Sequence, residues 1–395
     1  MKVLQINCVY KQGSTGKIVY DIHNYLLSIG IDSTVLYGRG NKVKDENVLK
    51  VSSEFEAKMH SLMSRLTGVD FGYSPLATKR AIKIIQEQNP DVVHLHCLNG
   101  HFINVYALIA FLKENGIKTV LTLHAEIMHT AGCEHAMQCN KWKSQCSNCR
   151  IISGMVTRYF RDDAKHCYNL MKNTLTGFDG LTVVGVSEWL TNRAQQSGIF
   201  SESNCKFTTI QNGLNTRVFY PRINSKLRER MSLQGEIVIL HVTPNFNHPI
   251  KGGKYVIEVA KRNPQWKFVI VGFNGDKGML PNNIIGIEAT NNQDELAEYY
   301  SMADITLLTS QRETFSMVCA ESLCCGTPVI GFLAGGPESI SIGEYSSFVE
   351  QGNVEELEKA ISQLLDRHVH VDAELCRKAY NSEVMAKCYM DIYNR

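Results

Sequence analysis

Two glutamates in the last quarter of the chain have the type and spacing to bind a hydroxyl-rich ligand. Glu313 follows the apolar run 305–308, and Glu321 lies in the helix-favouring run 317–325, which ends at Gly326. A loop that leads from the carboxyl end of a parallel strand into a helix directs backbone N–H groups at a ligand, and the helix dipole favours phosphate. Carboxylates accept hydrogen bonds from sugar hydroxyls. The pattern predicts a site for such a ligand, and the alternative is two solvated surface carboxylates.

Two histidines end predicted buried strands. His96 follows the strand around residues 91–95, and His124 follows the strand 119–123. Ligands of open α/β sheets bind at the carboxyl ends of parallel strands, so that both imidazoles are candidates for ligand contact. The alternative for each is a structural histidine whose hydrogen bonds are satisfied inside the protein.

Four of the thirteen cysteines lie within seventeen residues, with the spacing Cys133-x5-Cys139-x6-Cys146-x2-Cys149. A reducing compartment disfavours disulfides, and an odd number of cysteines cannot pair completely. Four thiolates could bind a structural zinc ion and thereby fold a loop that is too polar to bury its own core. The last pair alone has finger-like spacing, so unmodified thiols and a disulfide stay open as alternatives. Catalytic zinc is not expected, because four protein ligands leave no open position.

The elements that must position these residues follow the pattern of two α/β units. A strand at residues 3–7 leads through a glycine-rich turn at 13–17 into a helix that ends near residue 29, and a second strand follows at 34–37. A new strand at 237–242 begins a similar pattern. The glycine spacing fits neither a nucleotide P-loop nor a dinucleotide fingerprint. The sequence predicts parallel sheets without a nicotinamide site.

Length and composition exclude several classes of protein. The chain has 395 residues, enough for two or three domains, and a formal net charge of +2 gives no argument for nucleic-acid binding. The basic and aromatic stretch 150–175 contains Asp162 and Asp163, which disfavour phosphate contact. No run of eighteen apolar residues indicates a spanning helix, and the first residues do not resemble a signal peptide. A cytoplasmic protein is expected.

One helix carries an apolar stripe that is expected to face the core. Its members recur at helical spacing, with Lys58, His60 and Arg65 on the other side: Phe55, Met59, Leu62, Met63 and Leu66. The alternative is a basic amphipathic helix on an anionic bilayer, which would place the protein at the inner face of the cytoplasmic membrane.

Four motifs resemble the nucleotide-sugar signature of the retaining glycosyltransferases with the GT-B fold, of the family-four type, which includes bacterial surface-polysaccharide glycosyltransferases of group 1. The motifs are Glu313-Thr314-Phe315-Ser316, Glu321, Gly326-Thr327-Pro328-Val329-Ile330 and Gly335-Gly336-Pro337-Glu338. The resemblance implies an α/β protein with two Rossmann-like domains whose parallel sheets face across a cleft. It divides the chain into an acceptor-side domain 1–215 with a cysteine-rich insertion 132–150, a nucleotide-sugar domain 216–372 and a helical tail 373–395 that crosses back to the first domain.

The same resemblance implies roles for individual residues. Glu313 would contact donor-sugar hydroxyls, Glu321 the ribose hydroxyls, and Lys251 the diphosphate. The arginine that the family places just after strand 237–242 is absent, and the candidates to compensate for it are Asn245, Asn247, His248 and an arginine from elsewhere such as Arg312. The implied catalytic residues are His124, Lys251 and Glu313, and the implied donor-binding residues are Gly16, Asn245, Lys251, Gly272, Arg312, Glu313, Phe315, Ser316, Met317 and Glu321.

The resemblance further implies transfer of a sugar from a UDP- or GDP-sugar to a hydroxyl acceptor, with retention at the anomeric carbon. The acceptor would be lipid-linked or a growing glycan of a surface polysaccharide. No cofactor is needed for this chemistry, and the expected metal is the structural zinc. The alternatives are a nucleotide-sugar epimerase or hydrolase of the same fold and a non-catalytic scaffold that binds sugar nucleotides.

Overall fold

The computed structural model describes residues 1–130, 132–149 and 162–395. It divides into two compact units, Met1–Gln211 with Met385–Arg395, and Asn212–Val384. The predicted domain boundary at residue 215 lies a few residues after the observed one at 211. The predicted tail 373–395 is divided between the two units, because its first helix belongs to the second unit. Of the basic and aromatic stretch 150–175, the part 150–161 lies outside the described residues.

In the described part of the first unit, the strands form one parallel sheet in the order β3-β2-β1-β4-β5-β6-β7. Strands β1 and β2 bury five of their six residues, as expected for a sheet that is covered on both faces. The strands are β1 Lys2–Asn7, β2 Asp32–Tyr37, β3 Val48–Lys50, β4 Val92–Leu95, β5 Thr119–Leu123, β6 Leu181–Gly185 and β7 Lys206–Thr209.

The helices of the first unit connect these strands and cover the sheet. They are α1 Gly13–Ser28, α2 Glu54–Thr67, α3 Pro75–Gln88, α4 Val105–Glu114, α5 Ile127–Thr130, α6 Ala164–Leu175 and α7 Glu188–Gln195. The last helix of the chain, α15 Ser382–Asn394, places Met385, Tyr389 and Tyr393 in the same core as Val3 and Ile18. Residues from both ends of the described chain therefore build the first unit.

The second unit has a parallel sheet in the order β10-β9-β8-β11-β12-β13. Its strands are β8 Val238–Val242, β9 Lys267–Val271, β10 Ile284–Ile287, β11 Ile305–Leu308, β12 Val329–Phe332 and β13 Ser346–Val349. Its helices are α8 Leu227–Arg230, α9 Gly253–Arg262, α10 Gln293–Met302, α11 Met317–Cys324, α12 Gly336–Ile340, α13 Val354–Asp366 and α14 Ala373–Ala379. The predicted helix at 317–325 is confirmed as α11.

Each sheet has a point where the strand order reverses. In the first unit this point lies between β1 and β4, and in the second unit it lies between β8 and β11. Neighbouring connections leave such a point in opposite directions and open a crevice at the carboxyl ends of the strands. The loops after these four strands are the places where the fold can present ligand-binding residues.

The prediction that the apolar stripe of α2 faces the core is wrong. Its side chains are exposed, by 74% at Phe55 and by 40–54% at the other four positions, Met59, Leu62, Met63 and Leu66. Helix α2 instead packs through two small residues, Ala57 and Ser64. The 3.6-residue period is present, but neighbouring elements cover the small face rather than the large one. None of the helices in the described ranges is long and apolar enough to cross a membrane.

Candidate functional site

The structure brings Lys251 and Glu313 together at the reversal point of the second sheet. Lys251 ends a short 3-10 turn, Pro249–Lys251, after β8, and Glu313 lies in the loop after β11. The Lys251 Nζ donates to the Glu313 Oε1 at 2.7 Å, and the two side chains are 27% and 19% exposed. A cation and an acceptor that reach solvent together can bind a ligand that has both an anionic group and hydroxyl groups.

Backbone hydrogen bonds hold the two loops in register. The Gln311 N–H donates to the Ile250 carbonyl at 2.7 Å, and the Thr309 hydroxyl donates to the Lys251 carbonyl at 3.0 Å. The Glu313 N–H donates to the Ala334 carbonyl at 3.0 Å. Because the loops after β8, β11 and β12 are tied to one another, the ammonium and the carboxylate are held on a rigid support.

The start of α11 follows directly and supplies backbone donors. The Ser316 Oγ accepts from the Cys319 N–H at 3.3 Å and caps the helix, whereas the first N–H groups of a helix have no acceptor within the helix. Ser316 has a φ of +82°, a backbone conformation that favours glycine. Phe315 is buried against Tyr380, so that its backbone rather than its ring can meet a ligand, and Met317 is the first residue of the helix.

Glu321 lies one turn further along α11 and has a partner that the sequence analysis did not identify. The hydroxyl of Tyr300, a fully buried residue of α10, donates to the Glu321 Oε2 at 2.9 Å. Burial, followed by the neighbouring Glu321 carboxylate, raises the pKa of Tyr300 well above its usual range. No local signal marks this contact, because it joins two helices across 21 positions of the chain.

The place of the missing arginine is occupied by a cluster of asparagines. The Asn245 Oδ1 accepts from the Asn274 Nδ2 at 2.9 Å and from the Asn247 N–H at 3.2 Å. This cluster joins the loops after β8 and β9, where Gly272 has a φ of +94° and a Cβ would lie 1.6 Å from the Thr243 carbonyl oxygen. Close packing against Thr243 therefore explains the glycine at position 272.

Arg312 is half-buried in the same loop as Glu313, so a cation is present beside the predicted donor site. The asparagine cluster supplies neutral polar groups at the position where the family has its arginine. The loop after β11 supplies a positive charge. That Asn245, Asn247, His248 or Arg312 replaces the arginine stays a prediction.

In the first unit, His124 and His96 stand at the carboxyl ends of β5 and β4. The His124 Nε2 and the His96 Nδ1 are 3.3 Å apart, and the His96 Nε2 donates to the Gln5 Oε1 at 3.1 Å. Burial lowers the pKa of His124 to about 4 and that of His96 well below its usual range. Both rings are neutral near pH 7 and act through hydrogen bonds. Gln5, in the middle of β1, was not identified from the sequence.

Gly16 lies inside the first turns of α1 in the same unit. A Cβ at this position would lie 3.2 Å from the Lys11 nitrogen and from the Val9 side chain, and the Lys11 N–H donates to the Gly16 carbonyl at 3.0 Å. The close approach of the loop explains the glycine by packing. Its predicted contact with the donor stays a prediction.

The cysteine-rich loop has a small core around Trp142. The buried Glu126 accepts from the Arg193 guanidinium at 2.9 and 2.5 Å, and this guanidinium stacks on the ring of Trp142. Trp142 is 1% exposed and donates from Nε1 to the Cys139 carbonyl at 2.6 Å. The expectation that this loop is too polar to have a core is therefore wrong.

The four predicted zinc ligands are half-buried: Cys133, Cys139, Cys146 and Cys149. Across residues 1–130, 132–149 and 162–395, no group of three or more His, Cys, Asp or Glu side chains is placed to hold a metal ion. The side-chain arrangement thus does not itself form a zinc site, and zinc stays a prediction from spacing.

The two Rossmann-like units define the class of protein. The structure of Anabaena HepE in complex with UDP superposes with a TM-score of 0.70 over 100% of both chains at 14% identity, which identifies the GT-B fold. The chain belongs to Glycosyltransferase Family 4, whose model matches residues 15–218, and the model of the glycosyl transferases group 1 matches residues 226–382. The predicted family and fold class are confirmed.

Curated relatives are similar along most or all of the chain. N-acetyl-alpha-D-glucosaminyl L-malate synthase of Bacillus anthracis is 25% identical over 82% of this chain and 80% of its own length. The putative colanic acid biosynthesis glycosyl transferase WcaC of Escherichia coli K12 is 19% identical over 100% of this chain and 99% of its own. The chain is thus a glycosyltransferase of the hexosyltransferase type, as predicted.

Proposed function

We propose that the protein is a retaining glycosyltransferase that uses a UDP- or GDP-sugar as donor and a hydroxyl group as acceptor. The observation that carries this proposal is the 2.7 Å pair of Lys251 and Glu313 beside the start of α11. The ammonium and the helix N-terminus suit a diphosphate, whereas Glu313 and Glu321 suit the hydroxyls of the sugar and the ribose. That a GT-B neighbour was solved with bound UDP supports this class of donor.

The proposed reaction uses these charges. As the anomeric carbon–oxygen bond to the diphosphate breaks, negative charge develops on the leaving diphosphate, which Lys251 and the first N–H groups of α11 stabilise. The acceptor oxygen attacks the same face of the sugar, and its proton passes to the leaving diphosphate. Lys251 then contacts phosphate instead of Glu313, whose carboxylate becomes available for sugar hydroxyls. The scheme needs no divalent cation.

His124 is proposed to contact the donor sugar. Its pKa of about 4 makes it neutral at the pH of the cell, so that it would donate or accept a hydrogen bond rather than supply charge. The bond to His96, which is in turn bonded to Gln5, fixes the orientation of the ring.

The acceptor is proposed to be lipid-linked, as a growing glycan of a surface polysaccharide would be, with the enzyme bound peripherally to a membrane. Support comes from the exposed stripe of α2. The acids of this helix are neutralised from other elements, since Glu54 pairs with Arg39 at 2.8 Å and Glu56 pairs with Arg80 at 3.2 Å. The remaining charges of α2 are basic, at Lys58 and Arg65. An apolar face with basic edges suits an anionic lipid surface.

The proposal is tested by the thermal stability of the purified chain in the presence of UDP, GDP, ADP, CMP or NAD. A nucleotide at a hundred times its dissociation constant adds about 2.7 kcal/mol of stability, and we expect this from either UDP or GDP. Glu321→Ala should abolish the effect. Glu258→Ala, which removes an exposed carboxylate of α9, is the matched control and should respond like the wild type. Stabilisation by no nucleoside diphosphate would contradict the proposal.

A second measurement separates transfer from the same-fold alternatives. The donor that matches the stabilising nucleotide is incubated with and without a lipid-linked acceptor, and the release of nucleoside diphosphate is measured. A transferase releases it in proportion to the acceptor and yields a product with the anomeric configuration of the donor. Equal release without acceptor would indicate an epimerase or hydrolase instead.

A further inference from the structure

Tyr300 places a buried hydroxyl directly behind Glu321. It belongs to α10, whereas Glu321 belongs to α11, and the hydroxyl donates to the Glu321 Oε2 at 2.9 Å. Tyr300 is fully buried, and Glu321 is half-buried. A donor in the protein interior thus holds one oxygen of a carboxylate that is partly exposed to solvent.

Tyr300 is itself held firmly. The Thr327 hydroxyl donates to the Tyr300 carbonyl at 2.6 Å, and the Tyr300 ring packs edge-on against Phe219 at 6.4 Å between centroids. The Ser322 hydroxyl, on α11, donates to the Thr327 carbonyl at 2.8 Å. These contacts connect the two helices, so that the distance between the phenol and the carboxylate cannot change freely.

The chemistry of the pair favours a fixed acceptor. A carboxylate only accepts hydrogen bonds, and its terminal torsion is broad, so a half-buried glutamate has several orientations unless a donor selects one. The phenol does not ionise near pH 7, because burial and the adjacent carboxylate raise its pKa well above the usual range. It therefore remains a donor to the Glu321 Oε2.

We infer that Tyr300 is a positioning residue that orients the Glu321 carboxylate toward the ribose hydroxyls and so contributes to the preference for a ribonucleotide donor over a 2′-deoxyribonucleotide donor. This inference rests on the proposed function, because it needs a nucleoside diphosphate at Glu321. The side chain acts through Glu321 and does not touch the donor.

The test compares Tyr300→Phe with Tyr299→Phe, the neighbouring tyrosine of the same helix, in the full chain. Calorimetry gives the dissociation constants of the stabilising nucleoside diphosphate and of its 2′-deoxy analogue. Loss of a hydrogen bond to a charged group should weaken ribonucleotide binding about tenfold in Tyr300→Phe, with a smaller change for the deoxy analogue. The ratio of the two constants should fall. Tyr299→Phe should keep the wild-type ratio, and kcat at saturating donor should change little in either variant.

A double-mutant cycle shows whether Tyr300 acts through Glu321. In a Glu321→Gln background, Tyr300→Phe should change the ratio of the two constants much less than it does in the wild type. Thermal unfolding checks that each variant is folded. If Tyr300→Phe is unstable, Tyr300→His, which keeps a ring N–H donor, should retain part of the preference for ribose.

The outcomes separate this inference from the proposed function. A wild-type chain that binds no nucleoside diphosphate contradicts the proposed function itself. A wild type that binds one, together with a folded Tyr300→Phe that has unchanged constants for both nucleotides, overturns the inference alone. An equal loss for the ribo and deoxy ligands would also overturn it, because that result indicates a general structural role.

Discussion

The two residues of the ion pair, Lys251 and Glu313, should have opposite effects on the binding of a diphosphate. In the structure each side chain is the counter-ion of the other, at 2.7 Å. A diphosphate that binds Lys251 must compete with Glu313 and is also repelled by this carboxylate. The hydroxyls of the proposed sugar donor, by contrast, would use the carboxylate as acceptor. We therefore expect the pair to favour an intact sugar nucleotide over the nucleoside diphosphate product, which has no sugar to satisfy Glu313.

This competition makes Glu313→Gln informative. The variant keeps the shape of the side chain but removes its charge, so Lys251 is released to bind phosphate. We expect the nucleoside diphosphate to bind as tightly as in the wild type or several-fold more tightly, because repulsion is lost. Transfer should fall by on the order of a hundredfold or more, because the acceptor for sugar hydroxyls is weakened. Calorimetry with the nucleotide and a transfer assay at saturating donor measure the two effects.

A matched control removes a charge that has no part in the site. Glu344 pairs with Arg367 on the surface of the second unit, and Glu344→Gln should change neither binding nor transfer. If Glu313→Gln kept full transfer activity, the assignment of Glu313 to the sugar would be wrong. If it instead lost nucleotide binding, Glu313 would contact the nucleotide rather than the sugar.

At the level of elements, local patterns predict the strands and α11 well. The runs at 305–308 and 317–325 and the glycine stop at 326 are local signals, and the structure places β11 and α11 there within one residue. Contacts that depend on the tertiary fold leave no such signal. The hydrogen bond of Tyr300 to Glu321 and that of His96 to Gln5 each join two different elements. The sequence therefore identified neither Tyr300 nor Gln5, which lies in the middle of a strand.

Helix α2 shows the limit of hydrophobic periodicity. The stripe predicts an amphipathic helix, and the helix exists. Periodicity alone does not tell whether the apolar face packs on the protein core or is exposed, because that depends on the neighbouring elements. Here the small face of Ala57 and Ser64 is buried, and Ser64 even contacts the His101 ring at 3.3 Å. Similarly, the buried Trp142 gives the cysteine loop a core that its many polar residues hid.

Replacement of two apolar side chains by serine tests the proposed binding of α2 to a lipid surface. Phe55→Ser with Leu62→Ser should lower binding to phosphatidylglycerol vesicles about tenfold or more, because apolar area no longer enters the lipid. Both positions are exposed in the structure, so stability should change by about 0.5 kcal/mol or less at each. Nucleotide binding should be unaffected. Vesicle sedimentation and thermal unfolding provide the measurements.

The control for α2 uses apolar residues elsewhere that are more exposed than Phe55 and Leu62. Ile223 and Met279 of the second unit are 90% and 83% exposed, and Ile223→Ser with Met279→Ser should leave vesicle binding unchanged. Wild-type binding should also be weaker to phosphatidylcholine, which lacks net charge. If the wild type bound neither kind of vesicle and instead formed dimers that Phe55→Ser disrupts, the stripe would be a protein interface.

On the scale of the whole molecule, the first unit depends on residues that are far apart in the chain. Residues 385–395 belong to it, and Tyr389 and Tyr393 bond to Thr122 and His94 at 3.0 and 2.5 Å. His94 and Thr122 adjoin the strand ends that carry His96 and His124. The last helix thus supports both the core of the first unit and the histidines that are predicted to meet the donor.

This dependence predicts different behaviour of fragments. The second unit is continuous, 212–384, and should fold alone. Fragment 1–211 lacks the buried Ala386 and four large buried side chains, those of Met385, Tyr389, Ile392 and Tyr393. Each costs about 2–5 kcal/mol when it is removed from a core, so that their sum reaches the whole stability of a typical domain, about 5–15 kcal/mol. We expect 1–211 to show no cooperative thermal transition by circular dichroism.

A rejoined fragment shows whether the last helix is the cause. The Leu214 N–H donates to the Tyr380 carbonyl at 2.8 Å and the Ser382 N–H to the Leu214 carbonyl at 3.1 Å, so a short glycine–serine linker can connect residue 213 to residue 382. The fusion of 1–213 with 382–395 should regain a cooperative transition, and the same fusion with Tyr389→Ala should be less stable. If 1–211 alone melted as cooperatively as the fusion, the first sheet would carry its own core, and the last helix would serve only to connect the two units.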